Sequence, residues 1–286
     1  MTVLVLGGGQ VANAVQLAAP LGCQVIARQR ALLDIVDAAA VRAAVHDLKP
    51  RWIINAAAYT AVDLAEEQQA QAAAANDTAV GTLAAVAADA GSRLLHLSTD
   101  FVFDGKTSRP YGPDAQTNPL SIYGSTKRAG ELHVLKTPPG IVIRTSWVYA
   151  SSGKNFVLTM LRLMREKPHL SVVSDQIGSP TWATSLARAI WGLIAADAAP
   201  GMYHWTDLGV CSWYDFAVAI QDEALANGLL THAVPILPIM SSQYLTKATR
   251  PAFSVLDTSA MRAAIDVPAR HWRHHLRTML DELRTA

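Results

Sequence analysis

Short apolar segments alternate with helical patterns along the first half of the chain. Residues 2–6, 24–27, 52–55, 93–97 and 140–144 form short, mainly apolar runs that predict buried strands. Apolar residues at helical spacing between them predict helices over 10–19, 38–48, 70–90 and 121–135. Strands that alternate with helices form parallel sheets with helices on both faces. The pattern therefore predicts an α/β fold with a Rossmann-type, doubly wound sheet.

The second half of the chain is less regular. Helical patterns cover 156–165, 184–195, 213–227 and 271–283, and Pro/Gly breaks lie near 178–180 and 199–201. We interpret residues 1–150 as a dinucleotide-binding domain. Residues 151–286 then form mainly a smaller substrate-binding lobe, from which some segments return to the sheet.

Composition narrows the class of protein. The 286 residues are 51% hydrophobic and 16% charged, which is typical of a globular chain. A net charge of +1 gives no electrostatic basis for binding nucleic acid. Two cysteines, Cys23 and Cys211, cannot build a disulfide framework and favour a reduced, cytoplasmic setting. No signal peptide or membrane-spanning segment is expected, because no apolar run is long enough.

A glycine-rich turn follows the first predicted strand. Gly7, Gly9 and Ala12 fit the pattern G-x-G-x-x-G/A, in which the backbone approaches a pyrophosphate at a helix N-terminus. Gln10 and Val11 open that helix and are expected beside the cofactor. An ordinary strand–helix turn is the alternative interpretation, because this motif alone is weak.

The end of the second strand indicates which nicotinamide cofactor is bound. An acidic residue there binds the ribose of NAD, whereas arginine accommodates the 2′-phosphate of NADP. The sequence has Arg28 and Arg30 and no acid, which favours NADPH and leaves NADH possible. A solvated basic turn is the alternative. Asp34 and Ile35 are expected beside the adenine.

A tyrosine and a lysine four residues apart form the candidate acid–base pair. Tyr123 and Lys127 share one face of a predicted helix. An ammonium about 4 Å from a phenol can lower the phenol pKa by up to about 3 units. Thr99 ends the fourth strand, at the edge where such sheets bind ligands, and can bond a substrate oxygen. A surface tyrosine and lysine on an amphipathic helix would be the alternative.

The third strand ends in small residues. Ala56, Ala57 and Ala58 follow Asn55 and would let a nicotinamide ring lie close to the backbone.

Several longer segments together resemble one family. These segments are 55–63, 98–105, 118–124 with Lys127, Gly130 and Glu131, 144–149, 175–181, and 250–251 with 254–257. With them the chain resembles the dTDP-4-dehydrorhamnose reductases, which are extended short-chain dehydrogenases/reductases. The resemblance covers nearly the whole chain.

This resemblance implies NADPH-dependent reduction of the C4 ketone of dTDP-4-dehydro-L-rhamnose to dTDP-L-rhamnose. It implies that Tyr123 protonates the sugar O4, that Thr99 orients the ketone, and that Lys127 holds the nicotinamide ribose and lowers the Tyr123 pKa. The residues that match sugar- or nucleotide-binding positions are Thr60, Val62, Asp100, Trp147 and Arg250.

The chain also departs from the family pattern. The glycine turn is one residue shorter than usual. Ala14 and Thr184 stand where some bacterial members have glutamates that hold a magnesium ion between subunits. We therefore expect no metal, and a monomer or a homodimer without a bridging metal. Trp213 is assigned to packing within the lobe.

Other functions remain open at this stage. The same fold supports other nucleotide-sugar 4-ketoreductases, epimerases and dehydratases. A dehydratase needs an Asp-Glu pair after the threonine, whereas Asp100 is followed here by Phe101. A non-catalytic, dinucleotide-binding regulatory subunit is a further alternative, which the set of Thr99, Tyr123 and Lys127 argues against.

Overall fold

The computed structural model describes residues 1–137 and 139–285, and it contains one large parallel sheet with helices on both faces. The strands are β1 (Thr2–Leu6), β2 (Gln24–Arg28), β3 (Trp52–Asn55), β4 (Arg93–Thr99), β5 (Gly140–Thr145), β6 (Val148–Tyr149), β7 (Leu170–Val173), β8 (Ile177–Gly178), β9 (Thr181–Trp182), β10 (Gly201–His204), β11 (Cys211–Ser212) and β12 (Ile236–Ile239).

The helices follow the sheet strands in alternation. They are α1 (Gln10–Leu17), α2 (Ala38–Leu48), α3 (Val62–Ala65), α4 (Gln69–Ala73), α5 (Ala79–Asp89), α6 (Ile122–Lys136), α7 (Phe156–Glu166), α8 (Ala183–Ala195), α9 (Trp213–Ala226), α10 (Ser259–Ala264) and α11 (Trp272–Thr285). A π-helical turn (Ala74–Thr78) joins α4 to α5, and a 3-10 turn (Asp100–Val102) follows β4.

The sheet order is β10-β5-β4-β3-β1-β2, with every neighbouring pair parallel. The predicted doubly wound α/β fold is confirmed. The chain reverses its direction of winding at β1, whose neighbours are β2 and β3. Parallel sheets of this kind bind ligands at that point, outside the carboxyl ends of the strands.

Side chains that alternate along β1 explain why both faces of the sheet are covered. Val3 and Val5 pack with α1 and α8 on one face. Leu4 and Leu6 pack with α2, α5 and α6 on the other. Because both faces of each central strand are buried, the strands are continuous apolar runs in the sequence.

The second half of the chain contributes to two regions. Strand β10 pairs with β5 at the edge of the large sheet, so residues 201–204 return to it. A separate apolar cluster joins α7, α9 and α11 around Phe216 and Ile220. Among the described residues, no helix combines the length and the apolarity that crossing a membrane requires.

The predicted long helix over 70–90 is broken by the π-helical turn. Asn76 in that turn is fully buried, and its side chain bonds both backbone groups of Tyr59 at 2.8 and 3.0 Å. It also donates to Thr126 on α6 at 3.2 Å. The extra residue per turn places this amide where it can fix the loop after β3, which helical spacing alone does not predict.

A buried ion cluster attaches α6 to the sheet. Glu131 has no exposed side-chain surface, and its two oxygens accept from Arg144 on β5 at 2.7 and 2.8 Å. Ser98 on β4 donates at 2.6 Å and Arg128 at 2.9 Å. The Arg144 hydrogen bond keeps the Glu131 pKa below its usual value despite burial.

Replacement of Glu131 by alanine should be strongly destabilising. Arg144 would be left as a buried charge without its partner, which costs about 3–5 kcal/mol. Urea unfolding would measure the loss. The control is Glu166→Ala, which removes the exposed ion pair to Arg162 and should cost about 0.5 kcal/mol or less. Equal losses in both variants would contradict a structural role for the buried cluster.

Candidate active site

One cavity of about 520 Å³ lies at the glycine turn. Gly7 has a φ of +122°, and a Cβ there would come within 3.0 Å of the backbone of Ala56 and Ala57. Only glycine therefore permits this approach of the two strand ends. The lining includes the predicted residues Gly7, Gly9, Asp34, Ile35, Ala56, Ala57, Ala58 and Thr60. Free backbone N–H groups at the start of α1 suit a dinucleotide pyrophosphate.

The arginines after β2 occupy different places. Arg30 lines this cavity and pairs with Asp34 at 2.9 Å, with most of its side chain exposed. Arg28, the first candidate for the 2′-phosphate, lies outside the cavity lining and donates to the Ala27 carbonyl at 3.2 Å. The structure thus brings the second arginine, rather than the first, to the adenine end.

Two other predicted cofactor residues also face elsewhere. Gln10 donates to the Lys154 carbonyl and accepts from Asn155, so its side chain ties α1 to the start of α7. Val11 packs against the apolar core. Their backbone positions remain at the start of α1, next to the glycine turn.

A second cavity, of about 580 Å³, lies between the 3-10 turn and the second half of the chain. Its lining contains Asp100, Phe101, Trp147, Gln176, Trp213 and Arg250 among others. The indoles of Trp147 and Trp213 stack with centroids 3.5 Å apart and planes at 9°. The assignment of Trp213 to packing alone was incomplete, because its ring also lines this cavity. No motif around Trp213 signals that placement.

Arg250 forms an ion pair that sequence reasoning did not anticipate. Its guanidinium donates to both oxygens of Asp63 on α3, at 2.7 and 3.2 Å. The hydrogen bond holds the Asp63 pKa below its usual value. The pair joins the C-terminal loop to the helix that follows β3. Thr60 lines the first cavity, and Val62 begins α3, so neither belongs to the lining of the second.

Thr99, Tyr123 and Lys127 lie where the end of β4 meets α6. None of the three is among the lining residues of either cavity, although Asp100 and Phe101, which follow Thr99, line the second. Thr99 ends β4, and Tyr123 and Lys127 lie one turn apart on α6. Ser121 caps the helix by accepting from the Gly124 amide at 3.1 Å. A Cβ on Gly124 would lie 2.2 Å from the Phe101 carbonyl, so glycine lets α6 reach the 3-10 turn. The Phe101 ring meets Tyr123 edge-on at 5.5 Å.

The predicted contact between Lys127 and Tyr123 is replaced by other bonds. Lys127 Nζ donates to the Leu97 carbonyl at 2.6 Å and lies 3.1 Å from His96 Nε2. Burial lowers the Lys127 pKa to about 8, which Glu131 partly opposes. The ammonium is therefore directed toward β4.

The expectation that Lys127 lowers the Tyr123 pKa is wrong for this geometry. Burial raises the Tyr123 pKa to about 12, a hydrogen bond with Thr99 opposes the rise, and Asp100 adds to it. Desolvation of a phenol disfavours its anion, and here no cation close enough offsets that cost. The phenol is a protonated hydrogen-bond donor at neutral pH.

Comparison with known proteins identifies the family. A sequence profile described as "RmlD substrate binding domain" matches residues 1–285. The chain belongs to the RmlD family. A dTDP-4-dehydrorhamnose reductase of Streptomyces griseus is 42% identical over 258 residues, 88% of this chain and 83% of that protein. The spore coat polysaccharide biosynthesis protein SpsK of Bacillus subtilis is 42% identical over 93% of this chain and 91% of its own length.

A solved structure of the same family aligns over nearly all of both chains. It is the dTDP-4-dehydrorhamnose reductase of Bacillus anthracis in complex with NADP, with a TM-score of 0.92 and 32% identity. The alignment covers 98% of this chain and 99% of the other. The resemblance inferred from the motifs is confirmed, and with it the membership in a family of NADP-dependent reductases.

Ionisation of the buried Asp100 should lower the free energy of unfolding of this RmlD-family protein as the pH rises. The side chain is 3% exposed, and burial raises its pKa from 3.8 to about 6. A raised carboxyl pKa means that the folded state binds the proton more tightly, so stability falls as the pH rises from about 4 to about 6. Asp100→Asn should therefore be more stable than the native chain by about 3 kcal/mol at neutral pH.

The stability difference should disappear below about pH 3, where Asp100 is protonated in both the folded and the unfolded state. Urea unfolding across this pH range measures it. A difference that does not depend on pH would mean that the amide is stabilising for some other reason.

Proposed function

We propose that this chain reduces the C4 ketone of dTDP-4-dehydro-L-rhamnose to dTDP-L-rhamnose, with NADPH as the reductant. The observation that carries the proposal is the grouping of Thr99, Tyr123 and Lys127 where β4 meets α6, with Tyr123 in contact with Phe101 of the second cavity. The first cavity has the glycine-lined turn that suits a dinucleotide. The second is large enough for part of a nucleotide sugar and offers aromatic and cationic side chains. Membership in the RmlD family supports the same reaction.

The cofactor would lie along the first cavity. Gly7 and Gly9 would hold the pyrophosphate, Asp34 and Ile35 would lie beside the adenine, and the alanines after β3 would face the nicotinamide half. NADPH, when bound, supplies a hydride to the sugar C4. Lys127 would hold the nicotinamide ribose by hydrogen bonding.

Tyr123 is suited to supply the matching proton. A phenol with a pKa of about 12 keeps its proton at neutral pH, so it is ready to donate as negative charge develops on the ketone oxygen. Thr99 would donate a second hydrogen bond to that oxygen by giving up its present bond to Asp100 at 3.1 Å, while the Phe101 amide, which donates to Thr99 Oγ1 at 3.2 Å, keeps the oxygen in place. One hydride on C4 and one proton on O4 complete the reduction.

The nucleotide sugar would lie in the second cavity. The stacked Trp147 and Trp213 provide an apolar wall, and Asp100 can accept from a sugar hydroxyl. Arg250 would bind the diphosphate, because guanidinium groups match phosphate oxygens. That role requires Arg250 to exchange its bonds to Asp63 for bonds to the ligand. Thr60 and Val62 would bound the sugar site from the cofactor side.

We infer a monomer, or a homodimer without a bridging metal, in the cytoplasm. Ala14 and Thr184 lie on α1 and α8 and offer no ligand for a hard cation. No cluster of three or more candidate ligands for a metal occurs within residues 1–137 and 139–285. Cys23 and Cys211 are free thiols, which suits a reducing compartment.

The reaction is tested by mixing the protein with NADPH and enzymatically prepared dTDP-4-dehydrorhamnose. Loss of absorbance at the nicotinamide band that depends on this sugar supports the reductase. Tyr123→Phe should lower kcat by at least about 100-fold, because it removes the general acid. Tyr203→Phe is the control, since it removes a phenol hydroxyl that bonds to the Ala199 carbonyl and belongs to neither cavity lining. Tight dinucleotide binding without turnover would favour a regulatory subunit, and turnover with Tyr123→Phe near the native rate would exclude Tyr123 as the acid.

The two arginines after β2 give a matched pair for cofactor selectivity. Arg30→Ala should raise the KM for NADPH about 10-fold and leave the KM for NADH nearly unchanged, because one charged phosphate contact is lost. Arg28→Ala should have the smaller effect, since its side chain lies outside the cavity lining. A larger selective effect of Arg28→Ala would restore the assignment made from the sequence.

A further inference from the structure

A buried chain of hydrogen bonds connects the cofactor cavity to Lys127. The Ala57 amide, on the cavity wall, donates to Asn55 Oδ1 at 3.1 Å. Asn55 Nδ2 lies 3.0 Å from His96 Nδ1. His96 Nε2 lies 3.1 Å from Lys127 Nζ. The chain runs behind the site through the ends of β3 and β4 to α6.

Water cannot reach the side chains of this hydrogen-bond chain to pair a donor or acceptor that lacks a partner. Asn55 and His96 have no exposed surface, and Lys127 is 2% exposed. A buried donor or acceptor left without a partner costs about 1–3 kcal/mol. The direction in which each group donates is therefore coupled to that of its neighbours.

The direction is set at the Ala57 end. A backbone amide can only donate, so Asn55 Oδ1 accepts and Asn55 Nδ2 is left to donate to His96 Nδ1. A neutral imidazole whose Nδ1 accepts carries its proton on Nε2. This proton points at Lys127 Nζ, and only an uncharged amine has a lone pair to receive it.

If Lys127 is charged, its ammonium can only donate, so His96 Nε2 must accept. The proton of the neutral imidazole then lies on Nδ1, where it faces the Asn55 amide hydrogens. Rotation of the Asn55 amide would remove that clash and create another, between its NH2 group and the Ala57 N–H. A doubly protonated ring is disfavoured, because burial and the nearby Lys127 hold the His96 pKa well below its usual value.

We propose that Asn55 and His96 are positioning residues for Lys127: they transmit the donor direction of the Ala57 amide and thereby favour the uncharged amine. The proton affinity of Lys127 then depends on the hydrogen bond that the Ala57 amide donates to Asn55. The inference rests on the proposed function only for the use made of Lys127. The hydrogen-bond chain itself is present whatever the substrate.

Other titratable groups lie on α6 and on the elements packed against it. They are Arg93 and His96 on β4, Arg144 on β5, Asp100 on the 3-10 turn, Asp63 on α3 and Glu66 after it, Asp77 on the π-helical turn and Asp89 on α5, and on α6 itself Tyr123, Arg128, Glu131, His133 and Lys136. Glu131 favours the ammonium, but it is already paired with Arg144 and Arg128. Burial of Lys127 favours the uncharged amine, and this effect is larger than the opposing effect of Glu131.

Nitrogen-15 NMR of the histidine rings in the native protein, without any ligand, tests the direction of the chain. The signal of His96 is assigned by its loss in His96→Gln. We expect the Nε2–H tautomer at a pH above the Lys127 pKa of about 8, and a change toward Nδ1–H as Lys127 takes up its proton. An Nδ1–H tautomer at every pH would overturn the proposal.

Asn55→Asp reverses the chain with almost no change in shape. One carboxylate oxygen still accepts from Ala57, and the other now accepts from His96 Nδ1–H, so Nε2 becomes an acceptor for the ammonium. The titration midpoint of the Lys127 Cε carbon, followed by carbon-13 NMR, should rise by at least about 1 pH unit.

The same substitution in a His96→Phe background separates hydrogen bonding from simple charge. A carboxylate that acts through space raises the midpoint equally with or without His96, whereas the chain requires His96. We expect less than half the shift in the double variant. Equal shifts would overturn the proposal, and the native tautomer decides the matter if a variant does not fold.

The outcomes also separate this inference from the proposed reaction. An Nε2–H tautomer in a protein that fails to oxidise NADPH with the sugar would refute the reaction alone. Sugar-dependent oxidation of NADPH by a protein whose His96 is the Nδ1–H tautomer at every pH would refute only the proposed role of Asn55 and His96.

Discussion

The packing of α6 against the carboxyl ends of β4 and β5 is the contact on which the site depends. Gly124 lets the helix touch the 3-10 turn, and Glu131 bonds Ser98 and Arg144 two turns farther along. With the helix held at both points, its rotation is fixed. Lys127 then faces β4 and Tyr123 reaches the Thr99 hydroxyl. The buried ion cluster therefore orients the acid–base residues without touching them.

Regular periodicity explains what the sequence could predict. Short apolar runs located β1 to β5 but not the edge strand β10, and helix 38–48 was predicted to the residue. The spacing of Tyr123 and Lys127 placed both on one helix. Two-residue strands such as β6 and β8 carry no such period, and the π-helical turn is a local departure from it.

Partners distant in sequence explain what could not be predicted. The pKa of Tyr123 depends on whether Lys127 bonds to it, and His96 and Leu97 on another strand hold the lysine instead. The choice between Arg28 and Arg30 depends on how the chain turns after β2, since Arg28 is the last residue of the strand and Arg30 lies in the turn that follows. Trp213 becomes a wall of the second cavity only because α9 packs beside Trp147.

The ion pair between Asp63 and Arg250 means that the chain carries its own competitor for an incoming anion. The carboxylate already offers the guanidinium two oxygens in the fork geometry that a phosphate would use. The protein without a ligand thus keeps this cation neutralised within its own fold, and any group that binds Arg250 must first replace the Asp63 carboxylate.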